Sequence, residues 1–346
     1  MRILVTGGAG FIGSNLIGHL LTQPEVEKVV NLDALTYAGN SVSLKHLETS
    51  NRYHFKKGQI QDRLMVSKLL REMNITHVMN LAAESHVDRS IEGPDAFVQT
   101  NIVGTFELLE ACRSYEKEIC NKIKFLHIST DEVFGSLGNE GKFTESTPYA
   151  PNSPYAASKA ASDMLVRSYH KTYDLDCVIT NCSNNYGPYQ FPEKLIPLVI
   201  MKATRGESIP VYGKGDNVRD WLYVTDHAEA LFRAAAKGLP GEIYNIGGDQ
   251  EVQNIDLVNG ICTALDHKCP KNGGGSYAEQ IQFVPDRPGH DFRYAIDASK
   301  IKKDLGWSPQ YNIKSGLEAT IDWYLKNTDW CESVLSRGYE LQRLGL

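Results

Sequence analysis

The chain has 346 residues, a net charge of −6 and seven scattered cysteines without a C-x-x-C pair. That length exceeds what one hydrophobic core serves, so two lobes are expected. The absence of a basic block argues against nucleic-acid or anionic-membrane partners. The odd cysteine count argues for free thiols in a reducing compartment over a structural zinc site, so no metal is expected.

The first predicted strand, RILVT at 2–6, runs straight into VTGGAGFIGSN, with Gly7, Gly10 and Gly13 in a G-x-x-G-x-x-G pattern. Such glycines serve a tight turn, close approach of backbone to a pyrophosphate, and close helix–strand packing, and the helix that follows offers its N-terminus to phosphates. The second strand, KVVNLD at 28–33, ends on Asp33 about twenty residues later, where a carboxylate suits a ribose 2′-hydroxyl and repels a 2′-phosphate. NAD is therefore expected over NADP. The start is apolar, but its run is short, broken by glycines and without a cleavage site. No run approaches a membrane span, so a cytoplasmic protein is expected.

Further strands are predicted at 53–58, 77–82, 124–130 and 177–183, separated by helical patterns at 62–74 and 95–115. This alternation predicts a parallel sheet covered on both faces. The fifth strand closes on Thr130, Asp131 and Glu132, a hydroxyl and two adjacent carboxyls; taken alone these read as a capped turn. In NSPYAASKAASDML, Ser153 and Pro154 suit a helix start, and Tyr155 and Lys159 share a face four residues apart. An ammonium beside a phenol favours the phenolate, which can take a proton from a sugar hydroxyl. After Ser183 the pattern loosens into aromatic and proline-rich loops, with a strand at 242–248 that could rejoin the first sheet, and a polar tail after a helix near 315–327.

These features, with DALTYAGN, NLAAESHVDRSI, STDEVFG, GKGDNVRDWLYVTDH and DRPGHDFRYAID, resemble the extended short-chain dehydrogenase/reductase superfamily, and within it the dTDP-glucose 4,6-dehydratase family, over nearly the whole chain. The resemblance implies an α/β fold: a Rossmann-type doubly wound parallel sheet over 1–183, with returning segments near 219–248, and a smaller mixed lobe over 184–346 for the nucleotide sugar. It implies NAD as cofactor, dTDP-glucose as substrate, and a homodimer formed through the helices at 95–115 and 155–173, whose apolar residues could equally pack on the sheet. Tyr155 and Lys159 would serve C4 oxidation, Glu132 would be the C5 base, Asp131 the C6 acid, and Thr130 a hydrogen-bond partner of the C4 oxygen.

Phe11, Ile12, Asp33, Leu35 and Thr36 fall where the family contacts NAD, as do Gln59, Ile60, Leu81, Ala83, Thr100 and Asn185. Ser85, Asn184, Lys194, Leu195 and Tyr212 fall where it contacts the nucleotide sugar, as do Arg219, Asn254, Arg287 and His290. Lys194, Arg219 and Arg287 suit a diphosphate, though each alone could be a surface charge. His290 could be a satisfied loop histidine, Ser85 a buried hydroxyl bonded to its own backbone, and the YGPYQF run lobe core. Phe134, Gln59 and Phe292 stand where the family usually has Tyr, Asp and Arg. A UDP- or CDP-glucose dehydratase shares this chemistry. A UDP-sugar 4-epimerase needs neither C5 base nor C6 acid, and a silent NAD-binding scaffold would be expected to lose Tyr155 or Lys159.

Overall fold

The computed structural model describes residues 1–286, 289–335 and 341. Seven of its strands form one parallel sheet in the order β10-β6-β5-β4-β1-β2-β3. These are β1 (Arg2–Thr6), β2 (Lys28–Asp33), β3 (Tyr53–Lys57), β4 (His77–Asn80), β5 (Lys124–Thr130), β6 (Asp176–Cys182) and β10 (Ile243–Ile246). Alternate side chains go to opposite faces, as a strand's period of two requires. Ile3 and Val5 join a core with helices Phe11–Thr22 and Val224–Lys237, while Leu4 joins another with helices Arg63–Glu72, Thr105–Ile119 and Pro154–Tyr173. The strand order reverses between β1 and β4, and the crevice beyond the C-terminal ends at that point is where such sheets bind ligands.

The helix expected at 95–115 is continuous from Asp95 to Ile119, but its winding is not uniform. A wide-turn π segment, Val98–Gly104, precedes helix Thr105–Ile119. Buried Asn101 accounts for the wider turn: its amide pairs with the Glu84 backbone in both directions (2.9 and 3.0 Å) and donates to Ser158 Oγ at 2.8 Å. These bonds turn Thr100 toward the crevice, a use to which π bulges are often put.

Beyond β6 the chain crosses into a smaller assembly. β7 (Asn184–Tyr186), β9 (Val218–Tyr223) and β11 (Glu251–Gln253) form a mixed sheet; β8 (Ile209–Tyr212) pairs with β12 (Ile281–Val284). Helices Leu195–Thr204, Asn254–Lys268 and Ile313–Lys326 enclose a separate core around Tyr186, Trp221 and Tyr223. The strand at the 242–248 position does rejoin the first sheet, beside β6. A second return was not legible: Ile301, Leu305 and Trp307 also pack in the first core. The tail expected to be polar instead continues as helix Thr328–Leu335, whose buried Trp330 donates to Ser43 Oγ at 3.0 Å and ties the chain's end to the first lobe.

Candidate active site

The glycine turn has the geometry that its spacing implies. Gly7 lies at φ +69°, and a Cβ there would meet the Ala82 backbone nitrogen at 2.7 Å; one on Gly13 would meet the Gly7 carbonyl oxygen at 2.3 Å. Asp33 braces the turn, accepting from the Ala9 amide at 2.8 Å and the Leu35 amide at 2.7 Å. Burial raises its carboxyl above the usual range, and those two amides oppose the shift. Helix Phe11–Thr22 carries no acidic residue in its first turn, so its positive end faces the crevice uncompensated.

A cavity of about 330 Å³ opens over this turn. It is lined by Gly7, Gly10, Phe11, Ile12 and Gly13, by Asp33, Thr36, Gln59 and Ile60, and by Leu81, Ala83, Thr100 and Asn185. Leu35 is the exception among the expected contacts: at φ +54° it packs against the core beneath the turn and contributes its amide to Asp33. Thr130, Asp131, Glu132, Tyr155 and Lys159 close the far end of the same cavity, with Ser85, Asn184 and Lys194.

β5 stops at Thr130, and a 3-10 turn, Asp131–Phe134, begins there. The turn is a capped one: the Thr130 hydroxyl accepts the Glu132 amide at 3.3 Å. The bend also lets consecutive side chains reach one cavity, which an extended strand would forbid. Asp131 is buried; its Oδ1 accepts from the Thr130 hydroxyl at 3.4 Å and its Oδ2 has no hydrogen-bond partner. Burial, then the charges of Glu132 and Asp220, push its carboxyl well above the ordinary range. Glu132 is only half-buried and faces a second cavity as well. Phe134 stacks with Phe143 and Tyr149 in an apolar cluster behind the turn, where a phenyl ring needs no partner.

Ser153 caps helix Pro154–Tyr173 through the Ala156 amide, as its sequence suggests. Lys159 is buried and donates to the Ile128 carbonyl at 2.6 Å. The lowered tyrosine pKa expected from the sequence is not realised by the protein alone. Burial first, and then the charge of Glu132, raise the Tyr155 phenol, while a hydrogen bond with Thr130 pulls the other way. Burial likewise lowers Lys159.

The second cavity, about 200 Å³, is lined by Leu195, Tyr212, Arg219, Asn254 and His290, and meets the first at Glu132, Asn184 and Lys194. Arg219 is buried, with its guanidinium on the carbonyls of Val218, Asp291 and Phe292 and over the Tyr294 ring. Asp286 Oδ1 accepts from His290 Nδ1 at 2.7 Å, and Lys194 donates to the Ser85 carbonyl at 3.3 Å. The Ser85 side chain is exposed toward the cleft, not buried on its own backbone. Arg287 lies outside the described residues. Of the YGPYQF run, Tyr186 and Tyr189 are lobe core, and Phe191 reaches the first cavity.

Glu193 escaped the sequence reading although it stands beside Lys194. Its side chain is 2% exposed, lines both cavities and binds Arg89 at 3.2 Å, and it accepts from the Tyr37 hydroxyl at 3.3 Å. Only its burial distinguishes it from a surface carboxylate, and burial is not visible in a loop sequence. Among the described residues no group of three or more His, Cys, Asp or Glu side chains is placed to hold a metal ion, and no helix is long and apolar enough to cross a membrane.

A doubly wound sheet, a glycine turn braced by an acid, and a buried Tyr–Lys pair facing a second cavity define a nucleotide-dependent enzyme of the extended short-chain dehydrogenase/reductase class. Residues 4–320 match the family model for GDP-mannose 4,6 dehydratase. A dTDP-glucose 4,6-dehydratase of Xanthomonas campestris is 58% identical over 99% of this chain and 98% of its own. The crystal structure of a dTDP-glucose 4,6-dehydratase from Streptomyces venezuelae, with NAD and TDP bound, matches at TM-score 0.90 and 43% identity over 96% of this chain and all of the other. A UDP-glucose 4-epimerase of Thermus thermophilus, in complex with NAD, matches at TM-score 0.83 and 30% identity over 94% of this chain and all of the other. The chain belongs to the dTDP-glucose 4,6-dehydratase family.

Proposed function

We infer that the chain is an NAD-dependent hydro-lyase that converts dTDP-glucose to dTDP-4-keto-6-deoxyglucose. The observation that carries the elimination step is the Asp131–Glu132 pair, presented to one cavity in unlike surroundings. The first cavity suits the cofactor: a glycine turn without side chains, a helix N-terminus for the pyrophosphate, and an acid at the ribose end. NAD, when bound, accepts the C4 hydride and returns it to C6.

In this reading Tyr155 takes the C4 hydroxyl proton, with the Lys159 ammonium favouring its phenolate. The 4-keto group acidifies C5, and Glu132 removes that proton. Asp131, kept protonated by burial, gives its proton to the C6 hydroxyl, which departs as water. Glu132 then returns its proton to C5. One proton remains on Tyr155 and Asp131 lacks one, so each turnover needs a transfer between them. Thr130 stands between the two, hydrogen-bonded to both, and supports such a transfer inside the site.

Lys194 and Arg219, and Arg287 by the family pattern, would hold the diphosphate. Asn184 and Asn254, whose side-chain oxygens are buried without partners, suit the nucleoside and sugar. We further place the enzyme in the cytoplasm, which its seven unpaired cysteines favour. We assign it a homodimer through helices Thr105–Ile119 and Pro154–Tyr173, where Phe106, Met164 and Tyr173 stand exposed. Sedimentation should then give twice the chain mass. The deciding experiment offers dTDP-, UDP- and CDP-glucose in turn and identifies the product. A 4-keto-6-deoxy sugar formed without added reductant, fastest from dTDP-glucose, is expected, whereas UDP-galactose from UDP-glucose would overturn the reading.

A further inference from the structure

Tyr155 and Lys159 are followed, four residues on, by a third buried ionisable side chain on the same helical face, Asp163, which is 1% exposed. No step above uses it, and a fully buried carboxylate is costly unless it is paired. Its Oδ2 accepts from the Ser129 hydroxyl at 2.7 Å and the Tyr149 hydroxyl at 3.0 Å; its Oδ1 faces His127 Nε2 at 3.3 Å.

The neighbouring histidine does not supply the missing charge. Thr6 accepts the Ala82 amide and so donates its own proton to Asn80 Oδ1. Asn80 then presents Nδ2 to His127 Nδ1 at 3.2 Å, which fixes the imidazole proton on Nε2. Nε2 lies 3.2 Å from the Ser162 hydroxyl and 3.3 Å from Asp163 Oδ1. Burial and the charge of Lys159 hold His127 neutral. The cation available to Asp163 is therefore Lys159, one turn back on its own helix. Conversely Asp163 is the largest influence favouring the charged form of Lys159, ahead of Cys182 on β6.

We propose that Asp163 is a positioning residue for the C4 oxidation: an ionised counter-charge, fixed by Ser129 and Tyr149, that keeps Lys159 an ammonium behind Tyr155. The inference rests on the reaction proposed above. Across the helix the groups facing the Tyr–Lys pair are Asp131 and Glu132 on the turn after β5, His127 on β5 and Cys182 on β6. Unlike Asp131, Glu132 and Cys182, Asp163 lies off the substrate cavities.

Asp163→Asn keeps the shape and the acceptor for Ser129 and Tyr149 but removes the charge. Lys159 then loses its proton at lower pH, the phenolate forms at higher pH, and the ascending limb of kcat against pH moves upward by about one unit. On that limb kcat falls about tenfold at fixed pH, and KM for dTDP-glucose stays within about twofold. The ultraviolet titration of the Tyr155 phenolate, taken as the difference from Tyr155→Phe, should move the same way without turnover. Tyr149→Phe, a milder change at a half-buried residue, removes one donor from Asp163 and should move the limb upward by less; it decides the matter if Asp163→Asn does not fold. A uniform loss of kcat with an unmoved limb and titration would overturn the proposal. Failure of the wild-type enzyme to make a 4-keto product would instead overturn the reaction, and the phenolate titration would still report on Asp163.

Discussion

The Thr130 hydroxyl accepts the backbone amide of Glu132 at 3.3 Å, so the cap that ends β5 also aims the carboxylate of Glu132 into the space where the two cavities meet. The capped turn and the carboxyl pair are the same object.

Glu132→Gln keeps the size of the side chain and removes the base. C4 oxidation should continue and water loss should stop, so that reduced cofactor builds up on mixing with dTDP-glucose while no 4-keto-6-deoxy product forms. Absorbance of the cofactor and product analysis check this together; normal elimination by the variant would assign the base elsewhere.

Thr130→Val removes the hydroxyl between Tyr155 and Asp131 at nearly constant volume. Rapid-mixing kinetics should show one equivalent of product per site and then a steady rate at least tenfold lower, a change of about 1.4 kcal/mol. Thr130→Ser should restore the steady rate. A first turnover slowed as much as the later ones would mean that the hydroxyl serves C4 oxidation alone.

The folded pKa of Asp131 lies above its unfolded value, so the native state binds the extra proton and is destabilised as pH rises from the ordinary carboxylate range through the raised value. Asp131→Asn removes that penalty. The variant should melt with the wild type in acid and above it near neutrality, by about 1 kcal/mol or roughly 1–2 °C for a chain of this size. Its dehydratase activity should be lost. Calorimetry across pH checks the sign.

Asp33→Ala strips the acceptor from the Ala9 and Leu35 amides, each left unpaired near the turn. A cost of about 1–3 kcal/mol in stability is expected, with at least about a tenfold loss of NAD affinity by titration calorimetry. NADP should not gain in compensation, because the turn itself loosens.

Much of this was legible along the chain. Each strand of the first half was placed within two residues, because a buried parallel strand writes its apolar run into consecutive residues. The start of helix Pro154–Tyr173 was readable because a serine cap and an N1 proline act locally. The glycine turn, Asp33, the Tyr–Lys spacing and the carboxyl pair were visible for the same reason.

What only the tertiary structure decided depends on residues far apart in sequence. The π winding at Val98–Gly104 comes from Asn101 bonding to Glu84 and Ser158, and the tail becomes a helix because Trp330 reaches Ser43. Leu35 sits at the right place in sequence, but its backbone turns it away from the cavity. Burial, Glu132 and then Asp220, some ninety residues later, push the Asp131 carboxyl upward, and Glu193 and Asp163 became notable only once their burial was known. Side-chain identity and spacing are properties of the chain; burial and electric field belong to what the fold packs around it, and the fold alone sets two adjacent carboxyls in unlike surroundings.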